Sequence, residues 1–582
     1  MEGFRHGPIL LYWRRRPWAH EEASRDGKRR LPWPCPGLRR CVSRAAPRID
    51  ALRPSVMVRL NGPAPRFGRN VTLSDALRRR LHEPMEPTLD GRAAPLGRTD
   101  SGSAVLHRVF VALLLFLFAL YPAGWVAFPP DVDPINLSLA LADFDVAAQR
   151  PHAPGYPLFV VSARLTATLV GPAHAYQALN LLLLGFGAVS LYAALSSCGQ
   201  QRLGLAAAAL MVSHPLVLAA ALAGESYVAD AAFGCAVLAV VLGSHGATTR
   251  AVLLFAVFLA LGTIRPVSVA LLLPLAVVGS ALRAAPHERV RVAVAAALAG
   301  TAAFAAAYGV VVASAGGPSL FRAAADKVMG AAMRDSSVLA GAPWRSHLSM
   351  IARLVAWSAF LCAPALAFAG WAAARGRVPR VPTGALPLFA AWCLPAIAFY
   401  ATVYYLKPTY HLIYLPALLI ATAWLAYRLA ASRRLADAIM LAAVAVHLAF
   451  FAAGPRWPQP LYRLTHDYLE RQSEATARLV GFVGGLDRRR TLLVWVDHAE
   501  LSLYALRLLR DAPSVLVYVP GQRSLQRLVP RTMAWAAAGD AVAPGIDTLV
   551  LVHVRKGRTQ WRTAEIPPGT RIDGALVERL VR

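Results

Sequence analysis

The chain has 582 residues, of which 57% are hydrophobic and only 16% are charged. A soluble globular protein carries about 25% charged residues, and several uncharged runs here approach or exceed the roughly 20 residues that cross a bilayer. The composition therefore excludes an ordinary soluble protein and predicts an all-α polytopic membrane protein. The formal net charge is +29, but the arginines are concentrated outside the apolar runs. Loop arginines that orient membrane helices explain this pattern better than nucleic acid binding, so no nucleic acid partner is predicted.

Residues 1–104 differ from the rest of the chain. The first 100 residues hold 21 Lys and Arg against 10 Asp and Glu. Prolines and arginines interrupt every apolar run, so we expect a disordered cytoplasmic tail. No early apolar core of a secretory signal is present. A start at Met85 instead would give a short cytoplasmic lead. Cys35 and Cys41 lie in this tail, and the six cysteines of the chain show no metal-ligand spacing.

A transmembrane domain is predicted for residues 105–454, with about eleven to twelve spans. Its first helix, Val109–Pro130, is uncharged and follows His107 and Arg108. The positive-inside rule therefore places the N-terminus in the cytoplasm and Asp131 outside. The further predicted spans are Tyr156–Val170, which is short and carries Arg164, Tyr176–Ser197, Leu203–Ala223, Tyr227–Gly243, Ala251–Leu282, Val292–Ser314, Ile351–Ala373, Leu386–Tyr405, His411–Leu429 and Ala436–Ala453.

Two parts of this domain are expected to interrupt the pattern. Ala251–Leu282 is either one long helix or two short helices broken at Arg265-Pro266. Residues 315–350 begin with Gly316-Gly317-Pro318 and carry several charges, so we expect a polar loop there.

Residues 455–582 lack a spanning run and are predicted to form a small extracytoplasmic α/β accessory domain. Short β-type runs lie at Thr491–Val496, Ser514–Val519 and Thr548–Val554, and the helix-compatible segment Leu501–Leu509 separates the first two. The segment contains no Gly-rich phosphate loop, nucleophile elbow or zinc-ligand spacing.

The stretch Pro129–Leu158 concentrates ionisable residues beside a membrane edge. It opens with the Asp131-x-Asp133 pair and closes with Arg150, His152 and a Pro-Gly-Tyr-Pro turn. Leu137, Leu141 and Phe144 share one helical face, which predicts a short helix on the membrane surface with the acidic pair at its start. Solvated loop carboxylates are the alternative reading of this pair, and a helix-starting turn is the alternative for Arg150 and His152.

Four more ionisable residues lie in or beside the predicted spans. Glu225 is close to a membrane edge, and a charge in such a place usually faces a cavity. Arg265 is similar, although a loop between two short helices would also explain it. Lys407 and His411 directly precede a span, where a snorkelling lysine is the alternative for Lys407.

The order of these motifs resembles the GT-C membrane glycosyltransferases, particularly protein O-mannosyltransferases and aminoarabinose transferases. The resemblance covers roughly residues 105–455. It is carried by Asp131-Val132-Asp133, His152-Ala153-Pro154-Gly155-Tyr156-Pro157-Leu158, Glu225-Ser226-Tyr227 and Tyr414-Leu415-Pro416-Ala417-Leu418. Bacterial relatives often show Asp-x-x-Glu at the first motif, whereas here Asn136 follows Asp133 by three residues. No metal ligand is assigned, and the missing glutamate leaves the use of a divalent metal open.

The resemblance implies transfer of a sugar from a polyprenyl-phosphate donor to a glycan, lipid or protein acceptor outside the cytoplasmic membrane. Asp133, with Asp131 as its helper, would then be the general base. Arg150, His152, Tyr156 and Glu225 are the expected substrate-binding residues, together with Arg265, Lys407 and His411. A transporter or lipid-linked saccharide flippase is the alternative, although no convincing internal repeat supports it. An assembly protein ranks third, because it leaves the acidic pair unexplained.

Overall fold

The computed structural model describes residue 108 and residues 111–581 with gaps at 113, 117, 377–380, 454–457, 488, 497–504, 510–514, 520–523, 530–533, 538–544, 556–557, 568–569 and 571. The predicted tail, with Cys35, Cys41 and Met85, and also His107 lie outside the described residues. The described residues from Arg108 to Leu120 are helical and lead into a 3-10 turn at Tyr121–Gly124. The first predicted span therefore ends before Pro130.

The prediction of an all-α polytopic membrane protein is confirmed. Among the described residues, seven helices are long and apolar enough to cross a membrane, or eight if one bent pair forms a single span. Further apolar helices are shorter, so the count of eleven to twelve spans remains a prediction. The helices are α1 Val132–Ala142, α2 Pro157–Val170, α3 Ala175–Ser196, α4 Gln201–Ser213, α5 Pro215–Ala223, α6 Val228–Leu242, α7 Ala247–Ile264, α8 Pro266–Arg283, α9 Arg289–Ser314, α10 Pro318–Ser336, α11 Trp344–Ala374, α12 Ala385–Thr402, α13 Leu415–Leu429, α14 Arg433–Ala452, α15 Gln459–Tyr462, α16 His466–Gly484 and α17 Gly574–Val581.

Prolines decide where several helices begin. The predicted segment Ala251–Leu282 is two helices, because Pro266 starts α8 directly after Arg265. The predicted single span Leu203–Ala223 is instead the pair α4 and α5, which bend by 53° at the break before Pro215. In both cases a polar residue lies at the junction between the two helices.

Two sequence predictions are corrected. Residues 315–350 are largely helical rather than a polar loop, since Pro318 follows Gly317 as the first residue of α10 and an alanine-rich run continues it. The segment Tyr156–Val170 holds α2, whose 14 residues span only about 21 Å. Residues on both flanks of α2 contact α1, through His152 with Asp133 at 3.7 Å and Tyr176 with Leu137 at 2.8 Å. The helix therefore begins and ends on the same side as α1.

The core of the membrane part is built from apolar helices that pack closely on α3, α6 and α8. Large apolar side chains also point outwards, among them Val189, Leu298 and Leu394. In a bilayer these exposed side chains face lipid and carry no penalty. The helices α1 and α2 lie beside this bundle at one end.

The polar linkers between the apolar helices fall into two sets at opposite ends of the bundle. One set holds Asp131, Glu225, Arg265 and Lys407, which contact one another or their neighbours. The other set is joined by Ser197 to Leu242 at 3.0 Å and by Arg250 to His245 at 3.0 Å. This second set is rich in arginine, including the Arg433-Arg434 pair.

The C-terminal segment contains one mixed six-stranded sheet of order β4-β3-β2-β1-β5-β6. Strand β1 is parallel to both β2 and β5, and the outer pairings are antiparallel. The strands are β1 Thr491–Val496, β2 Val515–Val519, β3 Ser524–Val529, β4 Ala534–Ala537, β5 Thr548–Arg555 and β6 Arg558–Glu565. The predicted β-type runs correspond to the three parallel strands. In the predicted helix Leu501–Leu509, residues 501–504 lie outside the described part, and a 3-10 turn forms at Leu506–Leu508.

The sheet is covered on both faces. One face, with Leu493 and Val515, packs against α16 and against Ile135 of α1, which is fully buried. The other face packs against Ile566, Ile572 and Val577 of the C-terminal end. Because successive side chains of a strand point to opposite faces, a strand covered on both sides reads as a continuous apolar run. The contact through Ile135 places this segment on the same side of the membrane part as the acidic motif.

We expect that side to be extracytoplasmic, because arginines are concentrated in the opposite linkers. Reporter fusions after Asp145 and near Arg582 should both give an extracytoplasmic signal, and a fusion at Gly246 on the opposite side should give a cytoplasmic one. A cytoplasmic signal at Asp145 would contradict this orientation.

Candidate active site

Helix α1 presents both acidic residues at its N-terminal end. Asp131 is its N-cap, and its side chain accepts a hydrogen bond of 2.7 Å from the Val132 amide. Asp133 lies in the first turn. Carboxylates are favoured here because the helix dipole and unpaired amides place partial positive charge at this end. The prediction of an acidic pair at the start of a short helix agrees with this geometry.

The other end of α1 is held by side chains of α2 and α3. Arg164 donates to the carbonyl of Ala140 at 2.8 Å and to that of Leu141 at 3.0 Å. Tyr176 donates to the Leu137 carbonyl at 2.8 Å. A cation at a helix C-terminus satisfies carbonyls that have no helical partner. Arg164 is the charge that made the predicted span Tyr156–Val170 unusual. It binds the C-terminal carbonyls of α1.

Lys407 joins the acidic pair to a distant part of the chain. Its ammonium group lies 2.6 Å from Asp131 Oδ2, 2.8 Å from Asp133 Oδ2 and 3.7 Å from Glu225 Oε1. Lys407 precedes the 3-10 helix Pro408–Ile413, while Glu225 lies between α5 and α6. Helix packing thus brings three separate segments together around one cation.

The charges in this cluster shift its ionisation. Burial acts to raise the pKa of Asp133, but Lys407 and His152 outweigh it and hold the pKa at about 2. Burial lowers the pKa of Lys407, but Asp131, Asp133 and Glu225 together raise it well above its usual value. Asp133 and Lys407 are therefore both charged near neutral pH.

Glu225 differs from the acidic pair. It is only 5% exposed, and burial raises its pKa from 4.5 to about 7, although Lys407 acts in the opposite direction. Its Oε2 atom has no hydrogen-bond partner in the described structure. Glu225 thus changes protonation near neutral pH.

His152 and Tyr156 complete one edge of the cluster. His152 Nε2 lies 3.7 Å from Asp133 Oδ1 and 2.8 Å from the Tyr156 hydroxyl. Burial lowers the pKa of His152, and Asp133 opposes this effect. The imidazole is therefore neutral at physiological pH and bonded to the Tyr156 hydroxyl.

Arg265 lies at the break between α7 and α8, close to the same cluster. Its guanidinium pairs with Asp230 at 2.9 Å, contacts Ser226 Oγ at 3.3 Å and lies 3.9 Å from the centre of the Tyr227 ring. The charge of Arg265 also lowers the pKa of Asp133, after the larger effects of burial, Lys407 and His152. Its cationic head is thus fixed by a buried carboxylate next to Ser226, the neighbour of Glu225 in sequence.

Two candidates from the sequence lie apart from this cluster. Arg150 pairs with Asp143 and, at 3.3 Å, with Asp145, across a short turn closed by the Asp145–Arg150 bridge. His411 is fully buried, with hydrogen bonds to Tyr405 at 2.9 Å and to Tyr414. The other sequence candidates, from Asp131 to Lys407, lie together.

The residues offer a limited fit to a divalent metal. Within the described part of the chain, no group of three His, Cys, Asp or Glu residues is placed to hold a metal ion. The ammonium group of Lys407 lies between Asp131 and Asp133, where a cation would otherwise bind.

Sequence reasoning assigned no role to the residues that hold these groups. Asp230 and Ser268 fix Arg265, and Asn136 is bonded to Arg507 of the C-terminal segment. A buried carboxylate in an apolar helix was the available signal for Asp230. No local pattern marks Arg507, because its partners lie more than 350 residues away.

Comparisons with known proteins give structural neighbours only. No family model and no curated protein matches the sequence. The chain is similar to the crystal structure of ArnT from Cupriavidus metallidurans bound to undecaprenyl phosphate, with a TM-score of 0.47 and 15% identity over 72% of this chain and 94% of that chain. The apo state of ArnT gives a TM-score of 0.42 at 14% identity, with the same coverage of 72% and 94%.

A third neighbour is the oligosaccharyltransferase of Archaeoglobus fulgidus, solved with a tethered acceptor peptide. Its TM-score is 0.35 and its identity 10%, over 66% of this chain and 62% of that chain. These neighbours are of the GT-C type that the sequence motifs resemble.

The raised pKa of Glu225 predicts a pH-dependent stability. The stability associated with protonated Glu225 is complete below about pH 4.5 and is lost as the pH rises through about 7. The pKa of Asp133 is lowered to about 2, so the stability that its ionised form contributes is lost only in acid. The melting temperature of Glu225→Gln, measured in detergent from pH 5 to pH 8, should therefore rise by several degrees relative to the wild type as the pH increases. Glu288→Gln at the opposite end is the control, and a constant difference for Glu225→Gln would contradict the prediction.

Proposed function

We propose that this protein is a membrane glycosyltransferase of the GT-C type. It transfers a sugar from a polyprenyl-phosphate donor to an extracytoplasmic glycan, lipid or protein. The observation that carries the proposal is the convergence of Asp131, Asp133 and Glu225 on Lys407 at one end of an apolar helix bundle. An enzyme acting on a lipid-linked sugar needs acid–base groups at such a membrane edge, with apolar surface beside them for the lipid tail.

Asp133 is the proposed general base. Its side chain is 21% exposed, whereas that of Glu225 is 7% exposed, so an acceptor hydroxyl reaches Asp133 more easily. The hydroxyl proton passes to a carboxylate oxygen of Asp133 while the hydroxyl oxygen forms a bond to the anomeric carbon. The bond from that carbon to the phosphate oxygen breaks, and its electron pair stays on the polyprenyl phosphate.

Lys407 is proposed to bind Asp133, the base, before the donor arrives and the phosphate, the leaving group, afterwards. While it contacts Asp133, it holds the pKa of that carboxyl near 2, which makes Asp133 a weak base. A donor phosphate beside Lys407 would compete for the same ammonium group, and the loss of this contact would raise the pKa of Asp133. The same charge would then stabilise the departing phosphate. Donor binding would thus make Asp133 a stronger base.

Arg265, His152 and Tyr156 are proposed to surround the donor. Arg265 lies at a span boundary, where a phosphate headgroup would lie, and its pairing with Asp230 keeps the guanidinium in a fixed position. His152 and Tyr156 form a hydrogen-bonded pair beside Asp133 and offer neutral polar contacts to a sugar. Arg150 and His411 are committed to other contacts and have a structural role in this proposal.

The first test removes the proposed base. Asp133→Asn keeps the size of the side chain and removes the proton acceptor, so turnover should fall by about 10²–10⁴-fold. Purified wild type and variant are compared for transfer from radiolabelled polyprenyl-phosphate sugars, and protein recovered from the membrane is the folding control. Asp131→Asn is the matched variant and should have a smaller effect, because Asp131 caps α1.

Three outcomes of this test are informative. A larger loss in Asp131→Asn than in Asp133→Asn would reverse the two roles. Full activity in both variants would contradict a catalytic acidic pair. Failure of the wild type to transfer any sugar, combined with movement of lipid-linked saccharide across liposomes, would favour the flippase.

The second test concerns the phosphate. Lys407→Ala should weaken the binding of undecaprenyl phosphate by about 10- to 100-fold, because it removes a charged hydrogen bond. Lys407→Arg keeps the charge and should lose less. Arg291→Ala, on the opposite side, is the control for the loss of one cation. Equal affinity of wild type and Lys407→Ala would contradict a role for Lys407 in phosphate binding. Both alanine variants leave carboxylates without their cation, since Lys407→Ala exposes three of them to one another and Arg265→Ala leaves the buried Asp230 bonded only to Ser268. Lys407→Arg is therefore the more selective variant.

A further inference from the structure

Arg507 of the C-terminal segment reaches the helix that carries the acidic motif. It lies in the 3-10 turn Leu506–Leu508 beside the sheet and is only 7% exposed. One guanidinium nitrogen donates to Asn136 Oδ1 and, at 3.3 Å, to the Gln149 carbonyl. The other terminal nitrogen donates to the Ala148 carbonyl. A planar guanidinium can hold several acceptors in a fixed arrangement, which a lysine ammonium cannot do.

The first of these acceptors controls the rotation of α1. Asn136 follows Asp133 by three residues, so the two side chains lie on neighbouring positions of one helical face. Asn136 is 2% exposed. A fixed Asn136 side chain therefore limits how far α1 can turn about its axis, and with it the direction of the Asp133 carboxylate.

The other two acceptors lie in the turn that leads to His152. This turn is closed by backbone hydrogen bonds of 2.6 and 2.8 Å between Asp145 and Arg150, and Asp145 Oδ1 accepts from the Ala148 amide at 3.0 Å. His152 follows two residues later and faces Asp133 at 3.7 Å. Arg507 thus binds both segments whose separation sets the distance from His152 to Asp133.

Apolar packing supports the same contact. Ile135, next to Asn136, is fully buried in the cluster that includes Leu493, Trp495 and Leu506. The interface excludes water around Arg507, and hydrogen bonds to a charged group are stronger there. The packed sheet therefore holds the guanidinium in a fixed position.

We propose that Arg507 is a positioning residue through which the C-terminal α/β segment fixes the acidic helix and the 145–150 turn relative to each other. The importance of this geometry for sugar transfer rests on the proposed function. The contact between Arg507 and these two segments does not depend on that function. It can therefore be tested without an assay of sugar transfer.

Hydrogen exchange of the purified full-length protein tests the contact. In Arg507→Gln, which removes the charge and the guanidinium fork, amides of 132–142 and 145–150 should exchange about tenfold faster than in the wild type. Amides of Thr491–Val496 and Thr548–Arg555 should be unchanged. Arg507→Lys, which keeps the charge but not the fork, should give an intermediate effect. Unchanged exchange at 132–150, or equal acceleration in the two strands, would overturn the proposal.

A double-mutant cycle separates positioning from general support of the fold. For the amides of 132–142, Asn136→Ala and Arg507→Gln should each accelerate exchange, and their combination should add little to either change. Asn136→Asp keeps an acceptor for Arg507 and should exchange like the wild type. Additive effects would overturn the proposal.

Sugar transfer then provides the functional readout. Arg507→Gln should lower kcat with little change in the donor KM, because the base is misplaced while the phosphate contacts remain. A fall in kcat matched by an equal rise in donor KM would overturn the positioning role. Absence of transfer by the wild type would contradict the proposed function and leave the exchange result to decide on the contact.

Discussion

The ammonium group of Lys407 holds together the segments that form the site. Asp131 and Asp133 at the start of α1 and Glu225 between two apolar helices would repel one another without a cation among them. The same pairing keeps Asp133 ionised but makes it a weak base. In the proposed mechanism this arrangement precedes donor binding, since one lysine neutralises the carboxylate that the reaction needs free.

Helix breaks supply the polar residues that surround this lysine. Pro215 and Pro266 begin helices immediately after another helix has ended, and Pro408 begins the 3-10 helix after Lys407. Proline removes an amide donor and fixes the backbone, so the chain leaves the regular helix just before it. Polar side chains such as Arg265 can then lie at the end of the bundle instead of within its apolar interior.

The C-terminal segment and α1 depend on each other. Ile135 is buried against the sheet, and Arg507 is bonded to Asn136 of the same helix. A short helix such as α1, with 11 residues, takes its stability mainly from tertiary packing. Arg164 and Tyr176 hold its other end from the membrane part. The acidic pair therefore takes its position from both parts of the chain.

The sequence by itself determined the membrane class, the positions of three strands and the acidic pair at a helix start, because composition and apolar periodicity act locally. It left the break at Arg265 as one of two possibilities, and the structure decided for two helices. Only the tertiary structure decided which charges meet. Lys407 lies 274 residues from Asp133, and local patterns carry no information over that distance. The tertiary structure also decided that His411 is buried, that Arg150 lies in a turn and that α2 lies beside α1. These outcomes depend on how neighbouring helices fill space.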